Sequence, residues 1–239
     1  LVIAVYIRQY YIIIAIGYLV LLSNKIDLKI FFYIAIFNSF LLIPWVLYSY
    51  NYLQFNSEYA LKGFAKPDLL FSVLVFFTMY LFYVFPFFFQ SENYVKIKKL
   101  YNSKKIFFFI ITIIYFLFFF YYDLPQNEYG GGIIYKISQL FDSKLLFIFL
   151  SYIGTLLILL TINLNLKNFF ILFLLCLMFP FATIYQKYYD PLIIIIFFGM
   201  IQSNLIFENI SLKKIDITFI FSYFIVFLIS VNIYYSTIL

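Results

Sequence analysis

Arg8 and Gln9 stand inside an apolar run, LVIAVYIRQYYIIIAIGYLVLL, where a charged side chain needs a reason. An arginine within a membrane helix costs about 3 kcal/mol on insertion scales, so it usually faces protein or a wet cavity and finds a partner there. The guanidinium makes paired hydrogen bonds to phosphate through its planar fork and stays charged at any working pH. The chemistry that fits is capture of a lipid-linked phosphate, with Gln9 orienting Arg8 or meeting a sugar hydroxyl. The plainer reading is an arginine that snorkels or is paired structurally.

A second group lies late in the chain, Tyr185-Gln186-Lys187-Tyr188-Tyr189-Asp190-Pro191, a short polar and aromatic hairpin between two apolar stretches. Lys187 could meet phosphate while Gln186, Tyr188 and Tyr189 contact or stack on a sugar. As plain structure the same residues make an interfacial aromatic belt and a turn, with Pro191 starting the next helix. The segment Asp123-Leu124-Pro125-Gln126-Asn127-Glu128-Tyr129-Gly130-Gly131-Gly132 reads as a flexible connection or as a place where backbone comes close to a ligand. It is no phosphate loop, because the required spacing and the following Lys-Ser/Thr are missing. Residues 51–68, with Glu58, Lys62, Lys66 and Asp68, read as a connector or a short interfacial helix.

The elements that must position these residues are membrane helices. Hydrophobic residues make up 66% of the chain and charged residues 11%, with a mean hydropathy of +1.04. A soluble domain carries roughly 25% charge, so no water-facing surface can be assembled from this composition. Apolar runs fall at about 1–22, 30–50, 69–89, 105–122, 145–163, 168–184, 191–207 and 217–235. Runs near 20 residues match a hydrocarbon core of about 30 Å at ~1.5 Å per residue, and they lack the alternation of barrel strands. The expectation is an all-α polytopic bundle of about eight transmembrane helices, a single transmembrane domain over 1–239. Because Leu1 falls inside an apolar run, with no Met or signal sequence before it, the chain is expected to be the C-terminal part of a longer protein that lacks its N-terminal helices.

Composition also excludes chemistry. The chain has no His, and its one cysteine, Cys176, lies in an apolar run. Haem ligation by His, typical zinc sites, imidazole bases and a disulfide framework are therefore out of reach, and no metal or cofactor is expected. The many Phe and Tyr, beside abundant Lys, Ile and Asn, resemble the codon bias of an AT-rich genome, which makes most of the rings lipid-facing filler. A net charge of +6 does not indicate nucleic acid, since the lysines sit in short loops between apolar runs. Alternate loops beginning with 23–29 hold ten lysines and the others five, which sets the first group on the cytoplasmic side. On that assignment Arg8 lies about 10 Å below the outer surface at ~1.5 Å per residue.

With Trp45 at the outer end of the second run, Arg8-Gln9 and Gln186-Lys187-Tyr188-Tyr189-Asp190-Pro191 resemble the C-terminal half of the alpha-1,2-glucosyltransferase family that caps the lipid-linked oligosaccharide for N-glycosylation. In that family the late Gln-Lys and Arg-Tyr-Tyr/Pro elements are separate; here they are run together, and Asp190 stands near where the family has other residues. The resemblance implies a GT-C-type architecture, a polyprenyl-phosphate-linked sugar as donor, a lipid-linked or cell-surface glycan as acceptor, and catalysis on the non-cytoplasmic face without a nucleotide. It places the family's acidic catalytic residues in a first outer loop upstream of Leu1, so neither Asp123 nor Asp190 is assigned as a base. The implied setting is a bacterial inner membrane or the endoplasmic reticulum membrane, with membrane lipid as a further partner. A polysaccharide polymerase or flippase shares these features, although a large Arg-rich outer loop is lacking. A structural subunit of a membrane complex is a reading of another class. A transporter is disfavoured by the lack of an evident internal repeat and of several buried acidic residues.

Overall fold

A computed structural model of the chain describes residues 12–23, 26–55, 68–88, 94–125, 131–163, 165–177, 193, 195, 201 and 217–238. Among the described residues the fold is all-helical, without strands. The helices are α1 (Ile12–Leu22), α2 (Leu28–Phe55), α3 (Leu69–Phe88), α4 (Tyr94–Ser103), α5 (Lys105–Tyr121), α6 (Gly132–Leu140), α7 (Lys144–Thr161), α8 (Leu166–Leu177) and α9 (Ile217–Ile238).

Two of these, α3 and α7, are long and apolar enough to cross a membrane, and α4 with α5 makes a third if the bent pair is counted as one span. Helix occupies part of seven of the eight expected apolar runs, and the run 191–207 lies almost wholly outside the described residues. The expected boundaries shift at α2, which continues to Phe55 rather than ending near 50, and carries Pro44 inside it. Two helices were not expected at all. Both α4 and α6 fall in stretches read as loops, because lysines and short length lower their hydropathy. Helical spacing is nonetheless present, with apolar Ile97, Leu100 and Tyr101 in α4, and Tyr135 and Ser138 together on the buried side of α6.

Local signals start the helices. Asp68 precedes α3, and its Oδ1 accepts the Phe71 N–H at 2.8 Å, satisfying one of the donors that a helix start leaves open. Ser143 serves α7 in the same way through Leu146, and Asn165 serves α8 through Asn168. The glycine run before α6 has a specific steric role. Gly131 has a φ of 83°, in the left-handed region, and a Cβ there would overlap the Tyr135 ring. At Gly131 the backbone lies close to the protein's own Tyr135 ring.

At the centre α3 packs along α7, with α6 over one end of the pair and α8 and α9 on other sides of α3. Phe71, Leu74, Val75, Phe76 and Tyr80 of α3 are fully buried. The backbones come closest at Gly154, where a Cβ would overlap the Phe77 carbonyl. Small residues let membrane helices approach this closely, and dispersion and interhelical hydrogen bonds then hold them. At one end, the rings of Phe71, Tyr135 and Phe147 join α3, α6 and α7, the Phe71 and Tyr135 centroids lying 4.9 Å apart edge to face.

The exposed surface departs from that of a soluble bundle. The outer faces of α2 and α5 are covered with exposed large apolar side chains, Phe40 at 69%, Ile106 at 74% and Phe109 at 67% among them. The interior is apolar as well, and among its packed side chains it holds the hydroxyls of Ser151, Thr155, Thr161 and Tyr115.

Candidate functional site

The six residues singled out as substrate contacts, Arg8, Gln9, Gln186, Lys187, Tyr188 and Tyr189, all lie outside the described residues. So do Glu58, Lys62 and Lys66. Trp45 falls within α2 beside Pro44. The chemistry that can be built from the described residues sits in three polar layers along the α3–α5–α7 core.

The first layer is the end where α3, α6 and α7 begin and α5 finishes. Asp68 acts there with both oxygens: Oδ1 caps α3, and Oδ2 accepts the Tyr122 hydroxyl at 2.8 Å. Tyr122 lies just beyond α5. Burial, then the hydrogen bond to Asp68 and its charge, raise the Tyr122 phenol well above its usual pKa, so it stays protonated and donates. Nearby, the Tyr135 hydroxyl donates to the Pro125 carbonyl. Lys144 approaches Asp123 at 3.5 Å, but Asp123 is fully exposed and an ion pair of that kind adds little. Lys136 donates to Gln139 at 3.0 Å and lies 5.8 Å from the Tyr135 ring centroid.

The second layer is in the middle of the core. The Tyr115 hydroxyl of α5 meets Ser151 Oγ at 2.9 Å and Thr155 Oγ1 at 2.6 Å on α7, and Ser151 Oγ donates to the Leu74 carbonyl of α3 at 3.1 Å. Thr112 and Tyr152 pair alongside at 2.9 Å. One chain of hydroxyls, buried at Tyr115, Ser151 and Thr155, thus joins three helices. Ser72 Oγ, one turn into α3 from Asp68, is the buried side-chain oxygen without a partner among the described residues.

The third layer is the opposite end. Lys104, between α4 and α5, donates from Nζ to the carbonyls of Leu159 at 2.5 Å and Ile162 at 2.9 Å. These are carbonyls at the α7 C-terminus, which a helix leaves without intrahelical partners and which favour a cation. Tyr80 of α3 and Thr161 of α7 share a hydrogen bond of 2.5 Å, and Asn168 Nδ2 donates to the Asn163 carbonyl at 2.8 Å.

Asp68 and Lys104 are the residues that sequence reasoning missed. Asp68 directly before an apolar run is a helix-start signal that a count of loop charge passes over, and a count of basic residues for orientation says nothing of what Lys104 bonds to. Chemically, the three layers fasten helices to one another; among the described residues no three of Cys, Asp and Glu converge as metal ligands would. If Asp68 is a clamp, Asp68→Ala should lower stability by about 1–2 kcal/mol through the lost cap and the orphaned phenol, and Tyr122→Phe by less. Thermal unfolding in detergent checks this, and an unchanged midpoint for Asp68→Ala would refute it.

No protein-family model, curated protein or solved structure matches the chain.

Proposed function

We propose that the chain is a multi-pass membrane protein that takes part in transfer of a sugar from a polyprenyl-phosphate donor to a glycan acceptor on the non-cytoplasmic face. The observation that carries the membrane part is the exposed apolar surface. Exposed Phe40, Ile106 and Phe109 form faces that water would not tolerate, while the hydroxyls of Tyr115, Ser151 and Thr155 are buried and bonded to one another. Apolar surface of that extent marks contact with lipid or with another apolar partner.

Support for the transferase part comes from residue chemistry and from the GT-C resemblance. Arg8 in an apolar run suits a lipid phosphate, and Lys187 in a short polar and aromatic stretch of sequence suits the same charge. In that reaction the protein holds the departing lipid phosphate and orients the acceptor hydroxyl. The competing reading is a structural subunit, favoured by the fact that the hydroxyls of the α3–α5–α7 core are engaged in joining helices.

The test is purification from membranes followed by mass spectrometry of the retained lipid and polypeptides, with a transfer assay from polyprenyl-phosphate-linked sugar. A transferase retains polyprenyl phosphate and moves the sugar. Recovery of the chain with fixed companion polypeptides and no polyprenyl phosphate would replace this reading by the subunit.

A further inference from the structure

We infer that α4 is a surface anchor that lies along the headgroups of one membrane leaflet and binds anionic phospholipid through Lys98 and Lys99. The inference rests on the membrane reading of the α3–α5–α7 core and adds to it a specific lipid class at a specific helix.

Geometry comes first. At Lys104 the chain turns by 79° between α4 and α5. If α5 runs across the bilayer, α4 lies nearly parallel to its plane. The bend is held from both sides: Lys104 Nζ is bonded to the Leu159 and Ile162 carbonyls of α7, and the Tyr101 ring meets Phe108 at 4.8 Å across the turn. The helix also contacts both α5 and α7, so it is fastened at the rim of the bundle.

Chemistry then matches position. In the sequence Tyr-Val-Lys-Ile-Lys-Lys-Leu-Tyr-Asn-Ser there is no acidic residue. Ile97 and Leu100 are half-buried, whereas Lys98 and Lys99 are exposed. With its apolar edge seated on the bundle, the helix leaves Lys98 and Lys99 exposed at the rim, where the headgroups lie if α5 crosses the bilayer. Tyr101, exposed on the same helix, is a residue suited to the headgroup level. Lys105 is exposed at the same bend, and Lys167 follows the α7 C-terminus to which Lys104 is bonded. The charge at this end complements the anionic headgroups of a cytoplasmic leaflet, and each basic residue near such a surface adds to the attraction.

The experiment uses the whole chain in nanodiscs of phosphatidylcholine, with phosphatidylglycerol titrated in and bound lipid counted by native mass spectrometry. Wild type should take up phosphatidylglycerol in preference to phosphatidylcholine. The double change Lys98→Gln and Lys99→Gln should weaken that preference by about 30-fold, while Lys136→Gln, at the other end of the bundle, should leave it intact. Both altered lysines are exposed, so folding is preserved, and the thermal midpoint in phosphatidylcholine alone checks this. An unchanged preference in the double variant would overturn the assignment to α4. A chain that alkaline carbonate strips from vesicles would overturn the membrane reading and α4 with it; one that stays inserted without any anionic preference would overturn α4 alone.

Discussion

Gly154→Leu is expected to abolish recovery of the folded chain. An added Cβ at this position overlaps the Phe77 carbonyl, and Leu81 Cβ stands 3.3 Å away. The obstacle is backbone, so no rotamer change relieves it. In an ordinary helix interior, glycine to alanine stabilises by about 1 kcal/mol, because glycine has more backbone freedom to lose. At Gly154 the sign reverses. Alanine should destabilise by about 1–3 kcal/mol through overpacking. Leucine forces the α3–α7 pair apart and with it the Ser151 bond to Leu74. Size-exclusion profiles and thermal unfolding in detergent measure both variants. A Gly154→Ala protein that melts higher than wild type would mean that α3 and α7 do not meet there.

Arg8→Leu is expected to lower sugar transfer by about 100-fold or more, the scale of loss when a preorganised donor to developing charge is removed. Membrane insertion should be unaffected or eased, since the apolar run becomes continuous. Arg8→Lys separates charge from geometry: an ammonium retains the charge but cannot make the two parallel bonds of a guanidinium. Its transfer rate should therefore fall well below that of wild type. Transfer at the wild-type rate by Arg8→Leu in native membranes would leave Arg8 with a structural role only.

Helical class and apolar character were readable because long runs such as 69–89 and 145–163 admit little else. What hydropathy could not convey is how those runs divide between lipid and protein. Ser151 and Thr155 are nearly neutral on such a scale, yet their spacing, with Gly154 between them, marks the face of α7 that receives Tyr115 and α3. Asp68 and Lys104 carried charge that was assigned to loops, whereas each is bonded to the end of a core element. In both cases the partner is distant in sequence, Tyr122 for Asp68 and Leu159 for Lys104, so local pattern alone could not find it. The residues proposed to contact substrate rest on side-chain chemistry and on the resemblance, because Arg8 and residues 185–191 lie outside the described residues.

Thiol accessibility in sealed membranes tests the membrane bundle most directly. With Cys176 replaced by alanine, single cysteines are placed at Lys98, Asp123 and Ile113, which sit on α4, beyond α5, and on the exposed apolar face of α5. A membrane-impermeant maleimide should label position 98 only from the cytoplasmic side and position 123 only from the opposite side. Position 113 should resist it from both sides while remaining close to lipid, as quenching of a probe there by brominated acyl chains would register. Labelling of 98 and 123 from the same side, or ready labelling of 113 from water, would contradict a bundle that crosses the membrane through α5.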